Sequence, residues 1–120
     1  MRVYREILPN SFLLILTGSG ESSVAVLLLT EALEQACHSG KTSIWVDCSQ
    51  VQQLSTLELA VLEHYSTELL LRGITLVVCH PPDSLSTALP KAHLLLAPSL
   101  LDAELQCRSA AMQPPWPLAA

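Results

Sequence analysis

Three short, largely apolar runs constrain what this chain can become: Phe12–Leu16, Ile44–Val46 and Ile74–Val78. They recur at spacings of about 30 residues, the length of a strand, a crossover and the returning strand. Phe12–Leu16, short and continuously apolar, reads as a strand covered on both faces, Ile44–Val46 belongs to the next strand, and Ile74–Val78 reads as a third buried strand. The segments between them carry helical periodicity instead. From Ser22 or Ser23 to Ser39, Val26, Leu29, Leu33 and Ala36 share one face, while Glu31, Glu34 and His38 lie away from it. Gly40 follows as a residue able to close the helix. A second helix is predicted from Ser55 or Thr56 to Arg72, where Gly73 stops it. Strand, helix and strand in alternation require crossover connections and a largely parallel sheet.

The flanking segments complete this pattern. Arg2–Ile7 mixes apolar and charged residues like an edge strand, and the Pro9-Asn10 turn predicts that it pairs antiparallel with its neighbour. The Thr42–Val46 strand is expected to close at Asp47. Pro81-Pro82-Asp83 is expected to open a short helix through Leu89. His93–Leu96 reads as a last strand, and Pro98-Ser99 as the start of a terminal helix to about Cys107. The expected fold is α/β, with one domain over residues 1–108, a mixed, mostly parallel sheet of four to five strands, and about four helices. Residues 109–120, with Pro114-Pro115-Trp116-Pro117, are expected to form a Pro-rich tail. Only 4% of the residues are aromatic while half are apolar, so the core must be built from Leu, Val, Ile and Ala. Val24, Leu27 and Leu28 make the first helix apolar almost all round at its start. Burial of most of these is expected; the alternative is an exposed docking patch.

Charge and cysteine usage exclude several functions. Six Lys plus Arg against eleven Asp plus Glu, with no basic run, make a poor nucleic-acid binder. Charges at Arg2, Arg5 and Glu6 occupy the place of a signal-peptide core. Apolar runs such as Ser11–Leu16 and Val24–Leu29 fall short of the ~20 residues a spanning helix needs. Cys37, Cys48, Cys79 and Cys107 are widely spaced, without a C-x-x-C pair, and are expected to be reduced. A cytoplasmic location follows as the expectation. His38, His64, His80 and His93 show no metal-ligand spacing, and no Ser lies in a G-x-S-x-G elbow. No catalytic residue, metal or cofactor is assigned.

The junction Val46–Leu59, VDCSQVQQLSTLEL, holds the most specific signal. Ser55-Thr56-Leu57-Glu58 fits a capping box, in which Ser55 and Glu58 satisfy each other's backbone amides. Thr56 would then stand in the first helical turn, where free N–H groups and the helix dipole favour an anion. A phosphate on that hydroxyl would be held by the helix start and still be visible to a partner. Asp47 reads as an acceptor that fixes the loop.

The order of these elements resembles the STAS domain, the anti-sigma-factor antagonist family, over roughly Leu13 to Leu105. The matching run is Ile44-Trp45-Val46-Asp47-Cys48-Ser49, then Val51, Leu54 and Ser55-Thr56-Leu57-Glu58-Leu59. Leu16-Thr17-Gly18 with Glu21, Gly73 before Ile74–Val78, and Ser99-Leu100-Leu101-Asp102-Ala103 match in the same order. Two positions depart: Ser55 stands where the family has Asp, and Glu58 where it has Gly. Helical phase puts Glu58 on the side of Leu62 and Leu69, so it must bend outward or cap. The resemblance implies a non-enzymatic regulatory protein that binds a serine/threonine-kinase anti-sigma factor and is switched by phosphorylation at Thr56. The implied partner surface combines Ser19, Gly20, Glu21 and Ser22 with Ser55, Thr56, Leu57 and Glu58. Two alternatives stand beside it. One is an accessory subunit of an ABC-type membrane transporter, where similar domains sit on the ATPase. The other is a small nucleotide-binding protein using the Gly18–Gly20 loop, which echoes the dinucleotide fingerprint but has Ser23 at its third glycine position.

Overall fold

The three apolar runs form the centre of one five-stranded sheet in the order β1-β2-β3-β4-β5. The computed structural model describes residues 2–18, 23–82 and 94–105. The elements are β1 (Arg2–Ile7), β2 (Ser11–Thr17), α1 (Ser23–Cys37), β3 (Ser43–Gln50), α2 (Thr56–Leu71), β4 (Thr75–Cys79) and β5 (Leu95–Ala97). A short helix, α3, occupies residues 100–105. β1 is antiparallel to β2, and every later neighbour is parallel. The sheet is therefore mixed and mostly parallel, as the alternation requires. The helix expected from Asp83 to Leu89, the end of the terminal helix at Cys107, and the tail 109–120 lie outside the described residues.

The strand order explains where the helices sit. β2, β3 and β4 step across the sheet in one direction, so right-handed crossovers place α1 and α2 on the same face. Alternate residues of the strands then build two cores. Phe12, Leu14, Leu16, Ile44, Val46, Cys48, Leu76 and Val78 pack against Leu29, Ala32, Leu33 and Ala36 of α1 and Leu62 and Leu69 of α2. Leu13, Trp45, Val77, Cys79 and Ala97 turn the other way and pack on Ala103 of α3. Covering on both faces is the reason the middles of β2, β3 and β4 are apolar at successive positions.

The chain ends its helices with local devices. At α2, the Gly73 amide donates to the Leu70 carbonyl at 3.0 Å and the Ile74 amide to the Leu69 carbonyl at 2.9 Å. Gly73 adopts φ +77, which a side chain would strain. Ile74 then packs on the core, completing a Schellman stop. At the same edge of the sheet, where β4 begins beside β3, the 8–10 turn is tied to the start of β3. Lys41 Nζ donates to the Pro9 carbonyl at 3.2 Å, and the Ser11 and Ser43 hydroxyls share a buried hydrogen bond of 2.6 Å.

Two expectations need correction here. β3 does not close at Asp47 but continues to Gln50. Its pairing with β2 shifts between Ile15↔Asp47 and Thr17↔Gln50, so β3 carries an extra residue in a bulge. The start of α1 is not deeply buried either. Val24 is 59% and Leu27 67% exposed. The buried stripe of α1 runs through Ala25, Leu29, Ala32, Leu33 and Ala36, and α2 and the sheet cover only that side.

Candidate functional site

Both long helices start at the carboxyl ends of adjacent parallel strands, so their N-termini share one edge of the molecule. The amide of Gly18, just after β2, donates to the Gln50 carbonyl at the end of β3 at 3.4 Å. The segment leading into α1 therefore begins beside the segment leading into α2. Ser19, Gly20, Glu21 and Ser22 lie outside the described residues.

Asp47 is buried in β3 and its Oδ1 accepts the Ser49 amide at 3.0 Å. That contact satisfies an amide in the bulge and sets the path from Gln50 toward Ser55. Val51 and Leu54 anchor the same connection in the α1/α2 core. The chain thus enters α2 with little freedom.

At the helix start the capping box is complete. Ser55 Oγ accepts the Glu58 amide at 3.2 Å, and Glu58 Oε1 accepts the Ser55 amide at 3.0 Å. Glu58 caps rather than bending outward, and it is 0% exposed. Its Oε2 has no hydrogen-bond partner among the described residues. Glu58 occupies the interior where a glycine would leave space, so it does not crowd the outer surface of the turn. The neighbouring Cys48 thiol responds to this environment. Burial, then the charges of Asp47, Cys79 and Glu58, push it up to about 12. It is a protonated core thiol without nucleophilic character.

Thr56 contrasts with both neighbours. It is exposed at the first position of α2, and among the described residues no hydrogen bond engages its hydroxyl. Leu57 beside it is 64% exposed. Helical periodicity explains the division: Glu58, Leu62, Ser66 and Leu69 form the buried side of α2, and residues 56 and 57 fall outside it. Leu57 in α2 and Val24 and Leu27 in the first turns of α1 are solvent-facing apolar side chains, and both helices start from adjacent parallel strands.

One concavity was not legible in the sequence. An open cleft of about 770 Å³ lies at the carboxyl ends of β3, β4 and β5. Ser49, Gln52, His80, Pro81, Ala97 and Pro98 are among its walls. His80 adopts φ +51 there. The available signal was positional: each of these residues closes or follows a parallel strand. Elsewhere, among the described residues, no group of three or more His, Cys, Asp or Glu could hold a metal ion. Cys37, Cys48 and Cys79 form no disulfide among the described residues. No described helix is long and apolar enough to cross a membrane.

Fold and junction together define a small α/β domain with an antiparallel first strand, two crossover helices on one face, and a boxed helix start at the carboxyl edge of the sheet. The chain belongs to the STAS domain family, whose model matches residues 9–102. No curated protein matches the sequence. Among solved structures, a serine-to-glutamate variant of RsbS from Moorella thermoacetica is similar with a TM-score of 0.77 and 15% identity, covering 94% of this chain and 100% of that one. The anti-sigma factor antagonist SpoIIAA in its unphosphorylated form gives 0.72 at 11% identity, covering 90% and 98%. The phosphorylated form of SpoIIAA, a Bacillus cell fate determinant, gives 0.70 at 13%, covering 90% and 99%. At these identities the likeness concerns the fold.

Proposed function

We propose that this protein is a non-enzymatic regulatory binding domain of the anti-sigma-factor antagonist kind, acting in the cytoplasm. Its partner is a serine/threonine-kinase anti-sigma factor, bound at the start of α2 and at the adjoining segment 18–22. Residues 1–108 form the binding unit, and 109–120 are an appended tail. One observation carries the reading: Thr56 is exposed and, among the described residues, unengaged, while Ser55 and Glu58 are consumed by the cap. Among the described residues that hydroxyl makes no contribution to the fold around it. It needs no general base of its own, because the kinase supplies the chemistry.

The switch is electrostatic. Phosphate on Thr56 adds roughly −1.5 to −2 charges beside the exposed Leu57, at the sheet edge where α1 also begins with Val24 and Leu27 exposed. An apolar contact made over those side chains would have to desolvate that charge, and binding would end. The same exposed apolar set favours a second reading, a lasting interface with the ATPase of an ABC-type transporter, since an obligate surface is more apolar than a transient one.

A paired pull-down from native lysate separates the two, with wild-type and Thr56→Glu baits. The proposal expects a kinase-type anti-sigma factor on the wild type alone. Recovery of transporter subunits by both baits would overturn it in favour of the second reading.

A further inference from the structure

β1 ends the sheet, and no described strand pairs with its outer edge. Of its six residues only Val3 is more than lightly covered. Arg2, Arg5 and Glu6 form no ion pair among the described residues. An open edge of this kind is a template for another strand. Its sequence, Arg2-Val3-Tyr4-Arg5-Glu6-Ile7, is complementary to itself when run antiparallel.

With Tyr4 opposite Tyr4 of a second copy, Arg2 falls opposite Glu6, and Val3 opposite Arg5. The face assignments agree with this register. Arg2, Tyr4 and Glu6 lie across from Thr17, Ile15 and Leu13 in β2, so all three occupy the same side of the sheet. On that side the joint would read Arg2–Glu6, Tyr4–Tyr4, Glu6–Arg2, with both carboxylates opposite guanidinium groups. A shift of two residues in one direction sets Arg5 against Arg5. A shift of two in the other sets Arg2 against Tyr4 and leaves Glu6 with no charged residue opposite. The charges therefore select one alignment from those that keep the two helical faces on the same side.

We propose that β1 is a homodimer edge, joining two five-stranded sheets antiparallel through paired Arg2 and Glu6 across a central Tyr4. α2 follows β3, two strands in from this edge, so the Thr56 junction of each copy stays free. The occupant is a second copy of this chain, and the inference stands independently of the identity of any other partner. A six-residue edge lies at the small end of specific interfaces, so dimerisation is concentration-dependent in the micromolar range.

Sedimentation velocity on the full chain from about 1 to 300 µM tests it. The wild type should pass from monomer to dimer across that range. Arg2→Glu and Glu6→Arg, made singly, place like charges opposite each other twice per dimer and should each raise the dissociation constant about tenfold or more. The double variant Arg2→Glu/Glu6→Arg restores opposite charges and should bring it back to within about threefold of wild type. Far-UV circular dichroism of each variant checks that the exposed substitutions leave the fold unchanged. A wild type that stays monomeric throughout overturns the proposal. So does a dimer indifferent to the single reversals, or a double variant no better than either single one.

Discussion

Ser55→Ala and Thr56→Ala remove neighbouring hydroxyls of nearly the same size, yet the structure assigns them different consequences. Ser55 Oγ holds the Glu58 amide at 3.2 Å, in a helix start whose Glu58 is fully buried. Its loss leaves that amide without its acceptor and should cost about 1 kcal/mol. For a chain of this size that lowers the melting temperature by roughly 4 °C. The reciprocal bond from the Ser55 amide to Glu58 Oε1 survives the change, so the helix frays rather than unfolds. Thr56 is exposed and unengaged, so Thr56→Ala should fall within about 0.5 kcal/mol of wild type. Thr56→Glu should also stay within about 0.5 kcal/mol, because a charge in the first turn gains some 0.3–1 kcal/mol from the helix dipole and is opposed by nearby Glu58. Differential scanning calorimetry or urea titration reads all three. A Thr56→Ala loss as large as that of Ser55→Ala would refute the reasoning, because the Thr56 hydroxyl would then be structural. A lost pull-down partner in Thr56→Glu would in that case report a damaged junction rather than a switch.

Other expected outcomes follow from the core and the helix ends. Leu62 is 0% exposed between α2 and the sheet, so Leu62→Ala should cost about 2–5 kcal/mol, seen as a lower urea midpoint. Gly73 has φ +77 and open space where a Cβ would stand, with no atom within 4 Å, so Gly73→Ala should lose about 1 kcal/mol through backbone strain alone. Stability should also fall in alkali. The native Cys48 thiol is pushed from 9.0 up to about 12, so the folded state keeps a proton that the unfolded chain releases. That contribution is complete below pH 9 and is lost as the pH climbs toward 12, up to about 4 kcal/mol in all. Urea midpoints across that interval should fall less steeply in Cys48→Ala. Native-state alkylation should mark half-buried Cys37 well before buried Cys48.

Much of the molecule was legible in the chain because its signals are local. The three apolar runs, the turn after β1 and the stop at Gly73 each rest on a few adjacent residues, and the structure places strands and helix ends there. The capping box is of the same kind, since Ser55 and Glu58 are three residues apart and need no distant partner. What periodicity could not supply was which side of an apolar helix would be left uncovered. Val24 and Leu27 look like core in sequence, but α1 is touched along one stripe only, and that stripe is set by the position of α2 and the sheet. The same holds for the end of β3. Nothing near Asp47 announces three further strand residues; the bulge exists because β2 still offers a partner at Thr17.

By itself, then, the sequence determined the α/β alternation, the mixed sheet and the boxed start of α2, since these follow from spacing and backbone chemistry within each segment. Only the tertiary structure decided that Glu58 turns inward, that Thr56 and Leu57 face solvent, and that Val24 and Leu27 are left exposed. The physical reason is that exposure belongs to the packing of elements distant in the chain, and no local pattern encodes which neighbour covers a given face.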